Sequence, residues 1–121
     1  MRQKGNRNMK EKEIEKILVD EVRKLGGRAY KWVSPGNNGV PDRIVILPDR
    51  APYFVELKTD TGRLSPTQKI QIDRLIGMGQ QVSVVRGVKG VEQFFRANGF
   101  AIVADKISKR YQRRGVSENG I

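Results

Sequence analysis

Between residues 42 and 58 two short runs rich in β-branched and aromatic residues, Asp42–Leu47 and Tyr53–Lys58, flank the segment Pro48-Asp49-Arg50-Ala51-Pro52. Proline has no amide hydrogen to give to a strand ladder and fixes its own φ, so a segment with a proline at each end does not continue a strand. The two runs therefore predict an antiparallel hairpin closed by a short connection. A hairpin alone is marginal in water, so the remaining sequence has to supply further strands and the helices that cover them.

Those elements can be read on either side. From Lys10 to Leu25, Ile14, Ile17, Leu18, Val22 and Leu25 follow the i, i+3, i+4 spacing of a helix with one buried stripe, which Gly26-Gly27 ends. Arg28–Val33 predicts a strand, and Ser34-Pro35-Gly36-Asn37-Asn38-Gly39 a loop of turn formers before the hairpin. After the polar stretch Thr59–Arg63, Ser65 is placed to cap a helix whose first residue is Pro66. That helix carries Ile70, Ile72, Leu75, Ile76 and Met78 and ends near Gly77–Gly79. Gln81–Val85 predicts a fourth strand, Val88–Ala97 a short helix, and Phe100–Val103 one more extended segment. The expected chain is an α/β fold with a mixed β-sheet in the order α-β-β-β-α-β-α. It comprises a flexible basic arm over residues 1–9, a single domain over 10–103 and a basic tail over 104–121.

Composition removes several chemistries. The 121 residues contain neither cysteine nor histidine, so disulfide frameworks, thiolate zinc sites and histidine-based hydrolysis are excluded. A metal bound here must be held by oxygen ligands, which favours hard ions such as magnesium or manganese. The 24 Lys and Arg residues against 13 Asp and Glu give a formal charge of +11, which points to a polyanionic partner, nucleic acid before an anionic membrane surface. No run approaches the ~18 apolar residues of a membrane span. The basic start MRQKGNRNMK leads into no apolar segment and does not read as a secretory signal.

The hairpin also carries the one cluster of residues with an evident chemistry. In Glu56-Leu57-Lys58 strand alternation sends Glu56 and Lys58 to one face and Leu57 to the other. Asp42 opens the partner strand directly after Pro41, and the thirteen residues between Asp42 and Glu56 form the hairpin that brings them together. Two carboxylates at the mouth of a hairpin make a divalent-metal site, and the Lys58 ammonium can bind a scissile phosphate or orient water. Such a set suits phosphodiester hydrolysis, which needs a nucleophile made from water and neutralisation of phosphoryl charge. Pro-Asp alone is a common turn opener and Glu-x-Lys alone a common solvated pair. Their combination at matched strand positions is the informative feature.

Gly39-Val40-Pro41-Asp42, Phe54-Val55-Glu56-Leu57-Lys58 and Gly62-Arg63-Leu64-Ser65-Pro66-Thr67-Gln68-Lys69 together resemble the VRR-NUC domain, a branch of the PD-(D/E)xK nuclease superfamily. Val82-Ser83-Val84-Val85-Arg86 resembles a strand of the same domain, with Val-Val-Arg-Gly at its end. The resemblance runs from about Lys10 to Ala97 and implies a restriction-endonuclease-like core with metal ligation by Asp42, Glu56 and the Leu57 backbone carbonyl. It implies a catalytic Lys58 and a helix glutamine, Gln68, facing the site. It also implies an acid on the first helix. Helical phase favours Glu11 for this role, with Glu15 second, Glu13 turned away and Glu21 deep enough to serve as a structural partner for a basic residue. Glu11 could equally do no more than offset the helix dipole. Lys31, Arg43, Arg63 and Lys69 flank these motifs as DNA-contact candidates, and Trp32 can pack or stack on a base. Free-standing members of the family suggest cleavage of branched DNA such as Holliday junctions, by a homodimer, in the cytoplasm of a bacterium or phage-infected cell. The alternatives are a flap or single-strand nuclease, and a non-catalytic nucleic-acid-binding module on the same scaffold.

Overall fold

The computed structural model describes residues 9–112. The first eight residues of the expected arm over 1–9 and the end of the tail, residues 113–121, lie outside them. Helix α1, Glu11–Lys24, forms where the apolar stripe predicts it and buries Ile14, Ile17, Leu18 and Val22. At its start the Glu13 side chain reaches back to accept a hydrogen bond from the Lys10 amide, 2.8 Å away. At its end Gly26 takes φ +88°, the left-handed conformation that lets the chain reverse at little steric cost.

Four strands follow: β1 (Arg28–Lys31), β2 (Arg43–Ile46), β3 (Tyr53–Lys58) and, after helix α2 (Pro66–Gly77), β4 (Gln81–Arg86). They form one mixed sheet in the order β1-β2-β3-β4. The hairpin pairs β2 with β3 antiparallel, Arg43 opposite Val55, and β4 returns parallel to β3 with Lys58 beside Arg86. A parallel return needs a crossover, which α2 provides. β1 stops at Lys31, short of the expected Val33, and β2 opens at Arg43, one residue after Asp42. The Trp32 amide still donates to the Asp42 carbonyl at 3.0 Å, so the pairing extends by one bond past the strand ends.

The two faces of the sheet differ. Val45, Val55, Leu57 and Val85 lie on one face and are buried beneath α1 and helix α3, Gly87–Ala97. The other face carries Tyr30, Ile44, Phe54, Glu56, Lys58 and Val84, and α2 packs on it against β4 through Ile72 and Leu75. Ile70, Ile76 and Met78 are exposed, because a helix resting on so little sheet buries only a narrow line of side chains.

One expected element is corrected. Phe100–Val103 does not form an extended segment: Phe100 caps a fourth helix, α4, over Ala101–Ile107, followed by a π-helical turn over Ser108–Gln112. The β-branched pair Ile102-Val103 favours a strand locally, but Ala104 and Ile107 continue an apolar stripe at helical spacing and are buried against the core. The core thus extends beyond residue 103, where the domain was expected to end. Lys106 binds this helix to the buried Glu21 of α1, Nζ to Oε1 at 2.8 Å, which gives Glu21 the structural role its phase suggested. Ile107, 1% exposed, should therefore cost about 2–5 kcal/mol when replaced by alanine. Ile102→Ala, at a side chain 85% exposed, should change stability by less than about 0.5 kcal/mol. Urea unfolding of the two variants checks the difference.

Candidate active site

The register of the hairpin sets the site. Because Arg43 pairs with Val55, Asp42 falls opposite Glu56, and both side chains leave the sheet on the same face. Asp42 is held in place from below: its Oδ2 accepts a hydrogen bond from the Leu57 amide at 2.8 Å. Glu56 is only 1% exposed. Its Oε2 accepts from Gln68 Nε2 at 2.9 Å and lies 3.5 Å from Lys58 Nζ, while its buried Oε1 has no hydrogen-bond partner among the described residues.

Helix α2 supplies the glutamine in a fixed orientation. Ser65 Oγ accepts from the Gln68 amide at 3.1 Å, and Gln68 Oε1 accepts from the Ser65 amide at 2.8 Å, a reciprocal capping box. The cap therefore fully accounts for Ser65, and it leaves the Gln68 side-chain Nε2 free to donate to Glu56. The Gly-rich loop fixes where this helix starts. Gly39, at φ +87°, packs so closely on the first turn of α2 that a Cβ would fall 2.7 Å from the Thr67 carbonyl. The loop that follows Lys58 is fastened to the last residue of β4, where Arg86 Nε donates to the Gly62 carbonyl at 3.1 Å. Arg86, exposed and cross-strand from Lys58, was not singled out from the sequence. Only the parallel register reveals it, and that depends on how the crossover returns.

The electrostatics follow from this crowding. Burial first, then the Asp42 carboxylate, push the Glu56 carboxyl up to about 7, against the opposing pull of Lys58. Glu11, the first residue of α1, is also raised, by burial and then by Asp42, with Lys58 again opposing. The field of this acid thus reaches the site. Glu15 is committed elsewhere, its Oε2 2.7 Å from Arg43 Nε, and Glu13 caps its own helix.

The four expected DNA-contact residues separate. Lys31 and Arg43 are register partners on the opposite face of the sheet from Glu56 and Lys58. Arg43 is moreover bound to Glu15 and, through Nη1, to the Ala29 carbonyl at 2.9 Å. Proximity in sequence placed them near Asp42 and strand alternation turns them away. Arg63 and Lys69 are exposed and have no ion pair among the described residues. Trp32 packs on Phe54, ring centroids 5.2 Å apart. A groove of about 450 Å³ between β4 and α3, lined by Val82, Ser83, Gln93 and Phe94 among others, contains no acidic residue and is not this site.

Among the described residues no three acidic side chains converge closely enough to form a ready cluster of metal ligands. The pair does suit a hard cation. Two carboxylates share one face, one of them desolvated with an oxygen that has no partner among the described residues, and carboxylate oxygens are the ligands a hard cation prefers. A buried unpartnered carboxylate oxygen carries a desolvation cost that a bound cation would offset.

The sequence matches the VRR-NUC domain over residues 6–89. It is 51% identical over 79 residues to "Putative nuclease p44" of Acyrthosiphon pisum secondary endosymbiont phage 1, covering 65% of this chain and 85% of that protein. Two solved structures share the fold. A VRR_NUC domain at 28% identity has a TM-score of 0.59 over 84% of this chain and 96% of its own. A VRR_NUC domain protein at 17% identity has a TM-score of 0.59 over 89% and 92%.

The raised carboxyl of Glu56 makes stability depend on pH in the metal-free protein. The folded chain favours its protonated form, so its stabilising contribution is complete below the ordinary value of 4.5 and is lost as pH rises through about 7. A shift of that size corresponds to on the order of 3 kcal/mol. Urea unfolding in the presence of a chelator should show Glu56→Gln gaining on the wild type by about that amount between pH 4.5 and 8. A difference between the two proteins that does not change with pH would contradict this account of Glu56.

Proposed function

The chain belongs to the VRR-NUC domain family of nucleases, and on that premise we propose that it is a magnesium- or manganese-dependent DNA endonuclease. The observation that carries this reading is the buried Glu56 opposite Asp42, with a free oxygen on Glu56 and the Lys58 ammonium 3.5 Å from its other oxygen. Asp42 and Glu56 would hold the cation, with the Leu57 carbonyl as third ligand. When bound, the cation supplies Lewis-acid stabilisation of phosphoryl charge and lowers the pKa of water.

The other roles belong to the chain's own groups. Gln68 keeps the Glu56 carboxylate turned toward the site through its 2.9 Å hydrogen bond. Lys58 lies on the same face as both acids, where an ammonium can bind a phosphate oxygen or orient the attacking water. Glu11 is the helix acid of the set, supported by its electrostatic coupling to Asp42 and Lys58. Arg86, beside Lys58 on β4, and the exposed Arg63 and Lys69 would provide contacts to phosphates away from the scissile bond. The +11 charge favours binding any nucleic acid.

We further propose branched DNA such as a Holliday junction as the preferred substrate and a two-fold homodimer as the working unit. A symmetric pair of small domains presents two sites to paired strands. The cytoplasm of a bacterium or phage-infected cell is the compartment such a substrate requires. Among the described residues no helix is long and apolar enough to cross a membrane.

Cleavage of labelled duplex, flap and four-way junction DNA with magnesium or manganese tests the proposal. Wild type should cut the junction fastest and lose activity with a chelator. Asp42→Ala and Lys58→Ala should fall by about a hundred-fold or more. Gln68→Ala, which acts through Glu56, should fall by about 10–100-fold. Full activity in Asp42→Ala and Lys58→Ala would refute the site, and binding of every substrate without cleavage would favour the binding-module alternative.

A further inference from the structure

Catalytic groups occupy one end of the α2 face of the sheet, and the rest of that face is only half roofed. α2 rests against β4, and among the described residues the β1–β2 half is left open, with Tyr30 55% and Ile46 41% exposed. Cross-strand pairing puts Tyr30, Ile44 and Phe54 in one row across β1, β2 and β3. The next row toward the site brings Trp32, through its hydrogen bond to the Asp42 carbonyl, beside Asp42 and Glu56. Trp32 lies two residues after Tyr30, one past the end of β1, so the two Cα atoms are about 6.6 Å apart and their side chains leave the same face. Arg28 continues this line, exposed.

The exposed Tyr30 ring, in line with the half-buried rings of Trp32 and Phe54, suits a partner with flat faces of its own. The strand residues of this face carry charge only as Arg28, Lys58 and Arg86, apart from the two acids of the site. That balance, in a chain of net charge +11, favours a polyanion whose bases can stack. A continuous duplex keeps its bases stacked on one another and offers no free ring face; an unpaired stretch does.

We propose that the open half of this face, built on Tyr30 and Trp32, is a stacking platform for unpaired nucleotides of the DNA strand adjoining the scissile phosphate. The substrate class is then DNA with single-stranded character beside the cut, at a flap, a tail or an opened branch point. This rests on the nuclease reading above and adds to it the part of the DNA that the protein recognises. Tyr30 is a specificity residue: it lies one row of the sheet away from Asp42 and Glu56 and discriminates by what it stacks on.

The test uses the full chain, in calcium or chelator to hold off cleavage, with a blunt duplex and the same duplex carrying an oligo(dT) tail. Trp32 is the single tryptophan, so its fluorescence reports on the platform directly, and the tailed duplex should quench it more than the blunt one. Tyr30→Ala should weaken binding of the tailed duplex by about five- to a hundred-fold, the range for one stacked base, and so collapse the preference for the tail. Tyr30→Phe keeps the ring and should restore the preference, a rescue that a role for the hydroxyl would not permit. A wild type that cleaves DNA while Tyr30→Ala keeps the full preference would overturn the platform and leave the nuclease intact. A Tyr30→Ala protein that changes from dimer to monomer in sedimentation, with the preference unchanged, would overturn it in favour of a second copy on this face. A wild type that cuts no DNA under any metal would overturn the nuclease reading, and the platform with it.

Discussion

Two carboxylates on one face of a sheet, one of them taken out of water, are a costly arrangement for a small domain. Asp42 and Glu56 repel each other when both are ionised, and Glu56 has the added cost of burial, which is why its carboxyl is pushed up to about 7. Most of the surrounding structure serves to hold that pair. The Leu57 amide holds Asp42, and Gln68 and Lys58 hold one oxygen of Glu56. Gln68 is itself fixed by the capping box of α2, and the start of α2 is fixed by Gly39. The unsatisfied oxygen is the part this scaffold leaves open.

The sheet divides the labour between its faces. One face carries the apolar residues that pack beneath α1 and α3, with α4 closing the far side of the same core. The other carries the acids, the lysine and the aromatic row, and only α2 covers part of it. Period-2 alternation lets both functions share the same strands, so that in β3 Val55 and Leu57 build the core while Glu56 and Lys58 build the site. α1 bridges the two functions. Its middle packs into the core, its first residue lies in the field of Asp42 and Lys58, and Glu21 near its end ties down α4.

Much of this was legible in the sequence, and for physical reasons. The prolines at 48 and 52 could only interrupt strands, Ser65-Pro66 could only open a helix economically, and Glu-x-Lys on a strand had to share a face. Local chemistry decided each of those elements. α4 depended on packing instead: Ile102 and Val103 favour a strand in isolation, and the burial of Ala104 and Ile107 against the core decides for a helix. Lys31 and Arg43 were drawn toward the site by proximity in sequence. Their parity with Val45 on the buried face carried the contrary signal, and Arg43 also meets Glu15 across 28 positions of chain. Arg86 and the open aromatic row became visible only when β4 and β1 were placed beside the hairpin.

On this reading Asp42 and Glu56 together form a site for a hard divalent cation. Titration of the wild type with manganese in the absence of DNA, followed by electron paramagnetic resonance, tests it most directly. Binding should be saturable and weaken by at least about ten-fold in Asp42→Asn and in Glu56→Gln, since each removes an anionic oxygen donor. It should also tighten as pH rises through about 7, where Glu56 gives up its proton. Manganese affinity equal to wild type in both variants would contradict this reading.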